Sequence, residues 1–392
     1  MQTVIIRYGE IFLKSEPVKR RFLHQLVQNI HKALDANSLE HRIETQRGRI
    51  LIFGPGTNGI AELTSRIFGV VDVSIGSLTS NEVSDLSETA LRYAERALQP
   101  GMSFAVRARR EGTHEFTSQE LAAAVGAEIL RNIDGISVDL DRPNYEIFVE
   151  VRPFGGLVYD NRIPAPGGLP WGTQGRVLSL ISGGLDSPVA SWLMMRRGCE
   201  TTHLYLDGGC WVGRDRYTVV TEHHRLLSNW CRGYPLDLLV VDSEPFYQSM
   251  VDAVEPRYRC VICKRFMLKV GSLIATEKSA YALVTGDNLG QVASQTLVNM
   301  ALIDAAASVP VLRPLITYDK GEIVDLARKI GTFEQTRGEL CCRAVPRHPA
   351  TAALPDPVQK SEARIDLEGL AKEAAWGVKK VRALNGKIEE AI

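Results

Sequence analysis

The sequence predicts an α/β protein, with a doubly wound parallel sheet in its C-terminal half and a smaller α+β region ahead of it. Three observations predict it. Beyond residue 175, apolar runs of strand length at 177–181, 203–206, 236–242 and 280–285 alternate with helical patterns at 188–197, 217–229, 264–276 and 292–306, the rhythm of strand–helix–strand units. The first run breaks into Ser182-Gly183-Gly184 and then into a helix, with Ser187 expected as N-cap, Pro188 at the first helical position and Gly198 past the end. Ahead of residue 161 the alternation persists, but the strand at 145–152 has period two, which gives it one core face and one solvated face.

Taken in order, residues 3–7 read as a strand, 18–34 as an amphipathic helix, 49–53 as a strand, 59–68 as a short helix and 70–75 as a third strand. This is the pattern of a ferredoxin-like α+β unit over residues 1–75. A second unit, 76–160, carries helices at 87–98 and 118–132 and strands at 104–109 and 145–152. Arg107, Arg109 and Arg110 gather guanidinium groups around one strand end. Such a cluster suits phosphate oxygens, although a merely solvated face would read the same way. Residues 161–175 hold Pro164, Pro166, Pro170 and four glycines, a linker composition. The parallel-sheet domain spans 176–350. A charged, helical tail follows at 351–392, with Leu367, Leu370, Ala374 and Val378 as the stripe that packs on the body.

Composition excludes several classes. Lys+Arg and Asp+Glu both number 46, so a nucleic-acid partner would need a local basic face rather than a basic chain. No apolar stretch reaches signal-peptide or membrane-spanning length, which predicts a cytoplasmic protein with no membrane partner. Seven cysteines, an odd number, argue for thiol, metal or redox roles over a disulfide framework.

The glycine turn between the strand at 177–181 and the following helix has the makings of an anion site, because its backbone N–H groups and the helix N-terminus both favour negative charge. Taken alone, Ser-Gly-Gly is equally a tight turn that binds nothing. It lacks the Gly-Lys-Ser/Thr ending of a Walker loop and the spacing of a dinucleotide fingerprint. Ser182-Gly183-Gly184-Leu185-Asp186-Ser187 does resemble, residue for residue, the SGGxDS signature of the PP-loop ATP pyrophosphatases. Its flanks, Gly167-Gly-Leu-Pro-Trp-Gly-Thr173 and Thr285-Gly-Asp-Asn-Leu-Gly-Gln-Val-Ala-Ser-Gln-Thr296, and the early Tyr8-Gly-Glu-Ile-Phe-Leu-Lys-Ser15, resemble the tRNA 4-thiouridine synthetase, or tRNA sulfurtransferase, family. The resemblance covers residues 7 to about 349, and the second unit is similar to a THUMP domain.

The resemblance implies a PP-loop domain that cleaves ATP to AMP and pyrophosphate and a THUMP domain that grips tRNA, with Arg107, Arg109 and Arg110 as RNA contacts. It implies that Leu180, Ile181, Ser182, Gly183, Gly184, Asp186, Ser187, Lys264, Gly286 and Gln295 hold ATP. Asp186 would position Mg²⁺, Lys320 would stand where the family requires a lysine, and the linker would lie near the nucleotide. Asp287 occupies a position where the family more commonly has Glu, a shorter carboxylate in the same place. Many bacterial relatives add a rhodanese domain with a persulfide cysteine, and the chain ends soon after the catalytic region. Sulfur handling is therefore expected of Cys260-x-x-Cys263 and the Cys341-Cys342 pair. Such a set suits an iron–sulfur cluster or zinc, and equally a redox pair or packed thiols. Rhodanese-lacking archaeal members resemble it, with three cysteines on a cluster, so one of Cys341 and Cys342 would be a ligand. Cys199, Cys210 and Cys231 fit no spacing and are expected to be structural; His223 and His224 are read as surface or core.

The implied function is ATP-dependent thiolation of uridine, with tRNA and a sulfur donor (sulfide or a persulfide-carrying protein) as partners. Two other classes stay open: a PP-loop ligase acting on a small molecule, and a tRNA-binding protein without catalysis. Some relatives supply sulfur for the thiamin thiazole, and relatives often form homodimers; neither is decided by these residues.

Overall fold

The computed structural model describes residues 1–213, 215–336 and 342–389. Cys341, one of the expected sulfur ligands, lies outside the described residues. The chain divides into two compact units, Met1–Gly168 and Leu169–Ile392.

The first unit begins β1 (Gln2–Tyr8), α1 (Glu16–Asp35), β2 (Arg42–Gln46), β3 (Arg49–Phe53), α2 (Thr57–Thr64) and β4 (Val70–Thr79). It continues with α3 (Val83–Ala97), β5 (Ser103–Arg110), α4 (Ser118–Asn132), β6 (Ser137–Val138), β7 (Tyr145–Arg152), β8 (Gly155–Tyr159) and β9 (Ile163–Pro164). The opening βαββαβ run, in sheet order β2-β3-β1-β4, is the expected ferredoxin-like arrangement. The expected boundary at residue 75 falls inside β4. That strand pairs antiparallel with β1 and, through Gly76–Thr79, with β8, so both halves share one sheet. Apolar residues of β5, β7, α3 and α4 close the second half's core. Glu150, 1% exposed, ties the halves together: its carboxylate accepts two bonds from Arg49 and one from the Tyr159 hydroxyl, and it pairs with Arg152 and Arg7. A buried carboxylate is tolerable only when paired in this way.

The second unit starts with β10 (Arg176–Leu180), α5 (Asp186–Arg196), β11 (Glu200–Asp207), α6 (Asp215–Ser228), β12 (Leu236–Asp242), α7 (Glu244–Ala253) and α8 (Arg259–Glu277). Then come β13 (Ala282–Val284), α9 (Leu297–Asp304), β14 (Val311–Leu312), α10 (Lys320–Ile330), α11 (Pro355–Glu362), α12 (Leu367–Trp376), β15 (Lys379–Leu384) and β16 (Lys387–Glu389). Strands β14-β13-β10-β11-β12 are parallel and in that order, the doubly wound sheet expected. The tail departs from expectation. It is helical only through α12, and β15 then adds antiparallel to β12, with Val381 opposite Leu238 and Ala383 opposite Leu236. Two apolar residues in alternation are enough for a strand once neighbours supply the ladder, here β12 on one side and β16 on the other. No helix among the described residues is long and apolar enough to cross a membrane.

Candidate active site

The site is built at the C-terminal ends of β10 and β13, where a parallel sheet places its ligands. A cavity of about 200 Å³ opens there. Leu180, Ile181, Ser182, Gly184, Asp186 and Ser187 line it from the turn side, and Lys264, Thr285, Gly286, Asp287 and Gln295 from the other. Met267, Leu268 and Ile303 supply an apolar wall.

The turn holds itself together. Ser182 N–H donates to Ser187 Oγ at 2.8 Å, Gly184 N–H donates to Ser182 Oγ at 3.2 Å, and the two hydroxyl oxygens are 3.0 Å apart. Ser187 is thus not the expected N-cap: α5 begins at Asp186, Leu185 stands at the cap without a side-chain bond, and the Ser187 hydroxyl is spent on Ser182. The helix does end at Gly198, as expected, with φ +87°. A side chain there would meet Thr173 Oγ1 at 2.4 Å and the Pro170 carbonyl at 2.8 Å. Within the linker at 161–175, expected near the nucleotide, the N–H groups of Leu169, Gly172 and Gln174 donate to the carbonyls of Arg196 and Gly198 at that end of α5. Gly286 is required by close approach, because a Cβ would stand 2.7 Å from Ser187 N and 2.9 Å from the Asp186 carbonyl carbon. Only glycine lets this loop lie against the start of α5.

Two carboxylates that line the cavity, Asp186 and Asp287, each hold a lysine. Lys320, at the first position of α10, puts Nζ 2.8 Å from Asp186 Oδ1. Lys264, one turn into α8, puts Nζ 2.5 Å from Asp287 Oδ1. Asp287 also accepts from Thr285 Oγ1 at 2.8 Å, Gln295 Nε2 at 3.1 Å and Arg313 Nε at 3.3 Å. Burial alone would raise the Asp287 carboxyl, but the Lys264 charge and the bonds from Lys264, Thr285 and Gln295 outweigh it and hold it at about 2. Arg313 is held in turn by Asp304 at 2.9 Å. Neither Asp287's central role nor Asp304 stood out in the sequence. Gln295 spends its amide N–H on Asp287, and its Oε1 is buried without a partner in the cavity wall, an acceptor left for a ligand's donor. Gly183 is the one expected ATP-turn residue that does not line the cavity.

Cys260 and Cys263 lie one turn apart at the start of α8, on one helix face. Cys342 joins them, close enough for the three sulfurs to act on one another electrostatically. Burial raises both α8 thiols, Cys263 to about 12. Cys263 Sγ donates to the Tyr247 hydroxyl at 3.5 Å. Among the described residues, no three His, Cys, Asp or Glu side chains are arranged to hold a metal ion. Of the cysteines read as structural, Cys199 and Cys231 are buried, but Cys210 is exposed. In the first unit, Arg107 and Arg109 share one face of β5 and Arg110 takes the other. Arg107 is bonded to Glu146 and the Leu140 carbonyl, while Arg109 and Arg110 are exposed.

The family model described as thiamine biosynthesis protein (ThiI) matches residues 172–367, the ThiI ferredoxin-like domain 3–74 and the THUMP domain 80–159. A protein of Methanobrevibacter smithii described as a probable tRNA sulfurtransferase is 38% identical over 91% of this chain and 94% of its own. The tRNA sulfurtransferase of Pyrobaculum aerophilum is 37% identical over 92% of this chain and 73% of its own length. Among solved structures, a 4-thiouridine synthetase–RNA complex with bound ATP covers all of both chains at 31% identity, with a TM-score of 0.86. With its three regions matched in this order and relatives aligned over nearly its whole length, the chain belongs to the tRNA sulfurtransferase family.

Proposed function

We propose that the chain is an ATP-dependent tRNA sulfurtransferase that converts a uridine of tRNA, position 8 by resemblance, to 4-thiouridine. The observation that carries this reading is the cavity over the Ser182–Ser187 turn, with Lys264 in its lining and Lys320 paired to the lining carboxylate of Asp186. Uridine O4 attacks the α-phosphorus of ATP, the bond to the β-phosphate oxygen breaks, and pyrophosphate leaves. A sulfur nucleophile then adds at C4, the C4–O bond breaks, and AMP leaves with the former O4. The turn's N–H groups and the two lysines suit the phosphate charge that moves in the first step. Gln295 Oε1 and the wall of Met267, Leu268 and Ile303 suit a base that has both a donor edge and apolar faces.

Asp186 is the hard oxygen donor that would hold Mg²⁺, which supplies neutralisation of the leaving pyrophosphate. Cys260, Cys263 and Cys342 are soft donors of the kind an iron–sulfur cluster takes, and such a cluster supplies an iron that can carry sulfide. The chain's own part there is to gather three thiols at the start of the helix that also presents Lys264. Arg109 and Arg110 are the exposed cations that would meet RNA phosphates.

The test is an anaerobic assay of unmodified tRNA with ATP and sulfide, measuring 4-thiouridine by nucleoside analysis and pyrophosphate by coupled release. The expected result is thiolation with pyrophosphate released only when tRNA is present. Pyrophosphate release driven by a small molecule without tRNA would overturn it in favour of a ligase, and tRNA binding without either product would leave a non-catalytic binder.

A further inference from the structure

The phosphate turn rests on a buried imidazole that the proposed chemistry does not use. Helix α6 carries His223 and His224 side by side, both 0% exposed, and about 100° of helix rotation separates their directions. His224 Nδ1 pairs with His203 Nδ1 at 2.9 Å, and His203 Nε2 lies 2.8 Å from Ser191 Oγ, a chain confined to the core. His223 turns elsewhere: its Nδ1 is 3.2 Å from the Ser182 carbonyl oxygen. A carbonyl can only accept, so Nδ1 carries the proton and donates.

That carbonyl belongs to the first peptide of the turn. The Ser187 hydroxyl also reaches it, at 3.4 Å, after accepting from Ser182 N–H. Peptide planes are rigid, so holding Ser182 O also fixes the direction of the Gly183 N–H on the same plane. Nests of this kind bind anions only while their successive N–H groups keep their directions. Burial lowers the His223 titration, while the Ser182 and Thr332 carbonyls and Glu222 pull the other way; the net shift is downward. The ring is therefore neutral near pH 7 and brings direction rather than charge.

We propose that His223 is a positioning residue of the ATP turn, donating from Nδ1 to Ser182 O so that the turn's N–H groups are set for the phosphates before ATP arrives. This rests on reading the turn as the ATP site. It separates His223 from its neighbour: the two are equally buried, but only His223 acts on nucleotide affinity.

The experiment measures KM for ATP and for tRNA in tRNA-dependent pyrophosphate release by the full chain. Wild type comes first, and if it releases no pyrophosphate with tRNA the functional reading itself falls. His223→Leu is expected to raise the ATP KM about five- to tenfold, the effect of one lost hydrogen bond, with the tRNA KM unchanged. His223→Asn, whose amide nitrogen sits near the Nδ1 position, is expected to restore an ATP KM close to wild type, and His224→Leu to leave it at the wild-type value. The proposal is overturned if His223→Asn is no better than His223→Leu, or if His224→Leu raises the ATP KM as much. Should His223→Leu fail to fold, His223→Gln replaces it, because its donor sits near the Nε2 position. A higher ATP KM than for His223→Asn supports the proposal, and an equal one overturns it.

Discussion

Asp287→Asn is the most informative single change in the proposed nucleotide site. The native carboxylate is the common acceptor for Lys264, Thr285, Gln295 and Arg313, and two of those donors are cations. Its carboxyl is held at about 2 against an ordinary value of 3.8. That shift corresponds to roughly 2 kcal/mol of preference for the ionised form in the folded state. Asparagine keeps the shape, loses the charge and leaves Lys264 and Arg313 facing each other across a neutral amide. The nucleotide-free protein should lose about 2 kcal/mol, which for a unit of this size lowers its melting temperature by about 4–8 °C. Bound ATP brings negative charge back to the same cations, so the ATP-induced rise in melting temperature should be larger in the variant than in wild type. Scanning calorimetry with and without ATP reads both quantities. Unchanged melting without nucleotide would refute the idea that the carboxylate holds the two cations. A smaller ATP-induced rise would refute the idea that triphosphate and carboxylate serve the same charges.

Three further outcomes follow from the geometry. Lys320→Met removes the cation beside Asp186 and should slow pyrophosphate release about 10²-fold or more, with tRNA affinity unchanged in a filter-binding assay. Cys260→Ala and Cys263→Ala should abolish 4-thiouridine formation while pyrophosphate release persists, whereas Cys210→Ala should retain both activities; loss of pyrophosphate release in the α8 variants would mean that the thiols serve ATP rather than sulfur. Burial moves His224 down to about 4 from 6.5, with Asp237 and the Leu236 carbonyl opposing, so the unfolded chain binds the proton first. Stability should be unaffected above pH 6.5 and fall by about 3 kcal/mol as pH drops from 6.5 to 4. His203, also lowered, acts with the same sign. Chemical denaturation across that window should show a shallower slope in His224→Gln than in wild type.

What could be read in advance was whatever is local. The strand at 177–181, the glycine turn and the helix after it lie within some twenty consecutive residues, and their periods and breakers are written in order. Gly286 was reached only through the family resemblance, and its close approach to the start of α5 appears only in the fold. The tail was misread for want of a local signal. In β15 only Val381 and Ala383 turn a buried face, amid Lys379, Lys380 and Arg382, and the strand exists because β12 and β16 offer it ladders. The sharing of β4 between the two halves is equally illegible: nothing in the composition of β4 says that its second half pairs with β8, more than seventy residues away.

The site's electrostatics are the opposite case, since the cations on Asp287 and the imidazole on the turn come from far along the chain. Asp287 meets Lys264 across 23 positions and Arg313 across 26, and His223 meets Ser182 across 41. Ser187 shows how the two scales compete. Its place before Pro188 carries the local signature of a helix cap, yet its hydroxyl is drawn to Ser182, and α5 begins without a side-chain cap. A cap substitution typically costs about 1 kcal/mol, so leaving that position unfilled is tolerable where the hydroxyl instead closes a turn. Local rules therefore fail here at the residue whose side chain the turn needs, where consistency between local and tertiary preference is expected to give way to function. Ser187→Ala tests this: it should weaken ATP binding while leaving the melting temperature of the nucleotide-free protein nearly unchanged, because no helix cap is lost. A fall of several degrees without nucleotide would instead show the hydroxyl to be structural.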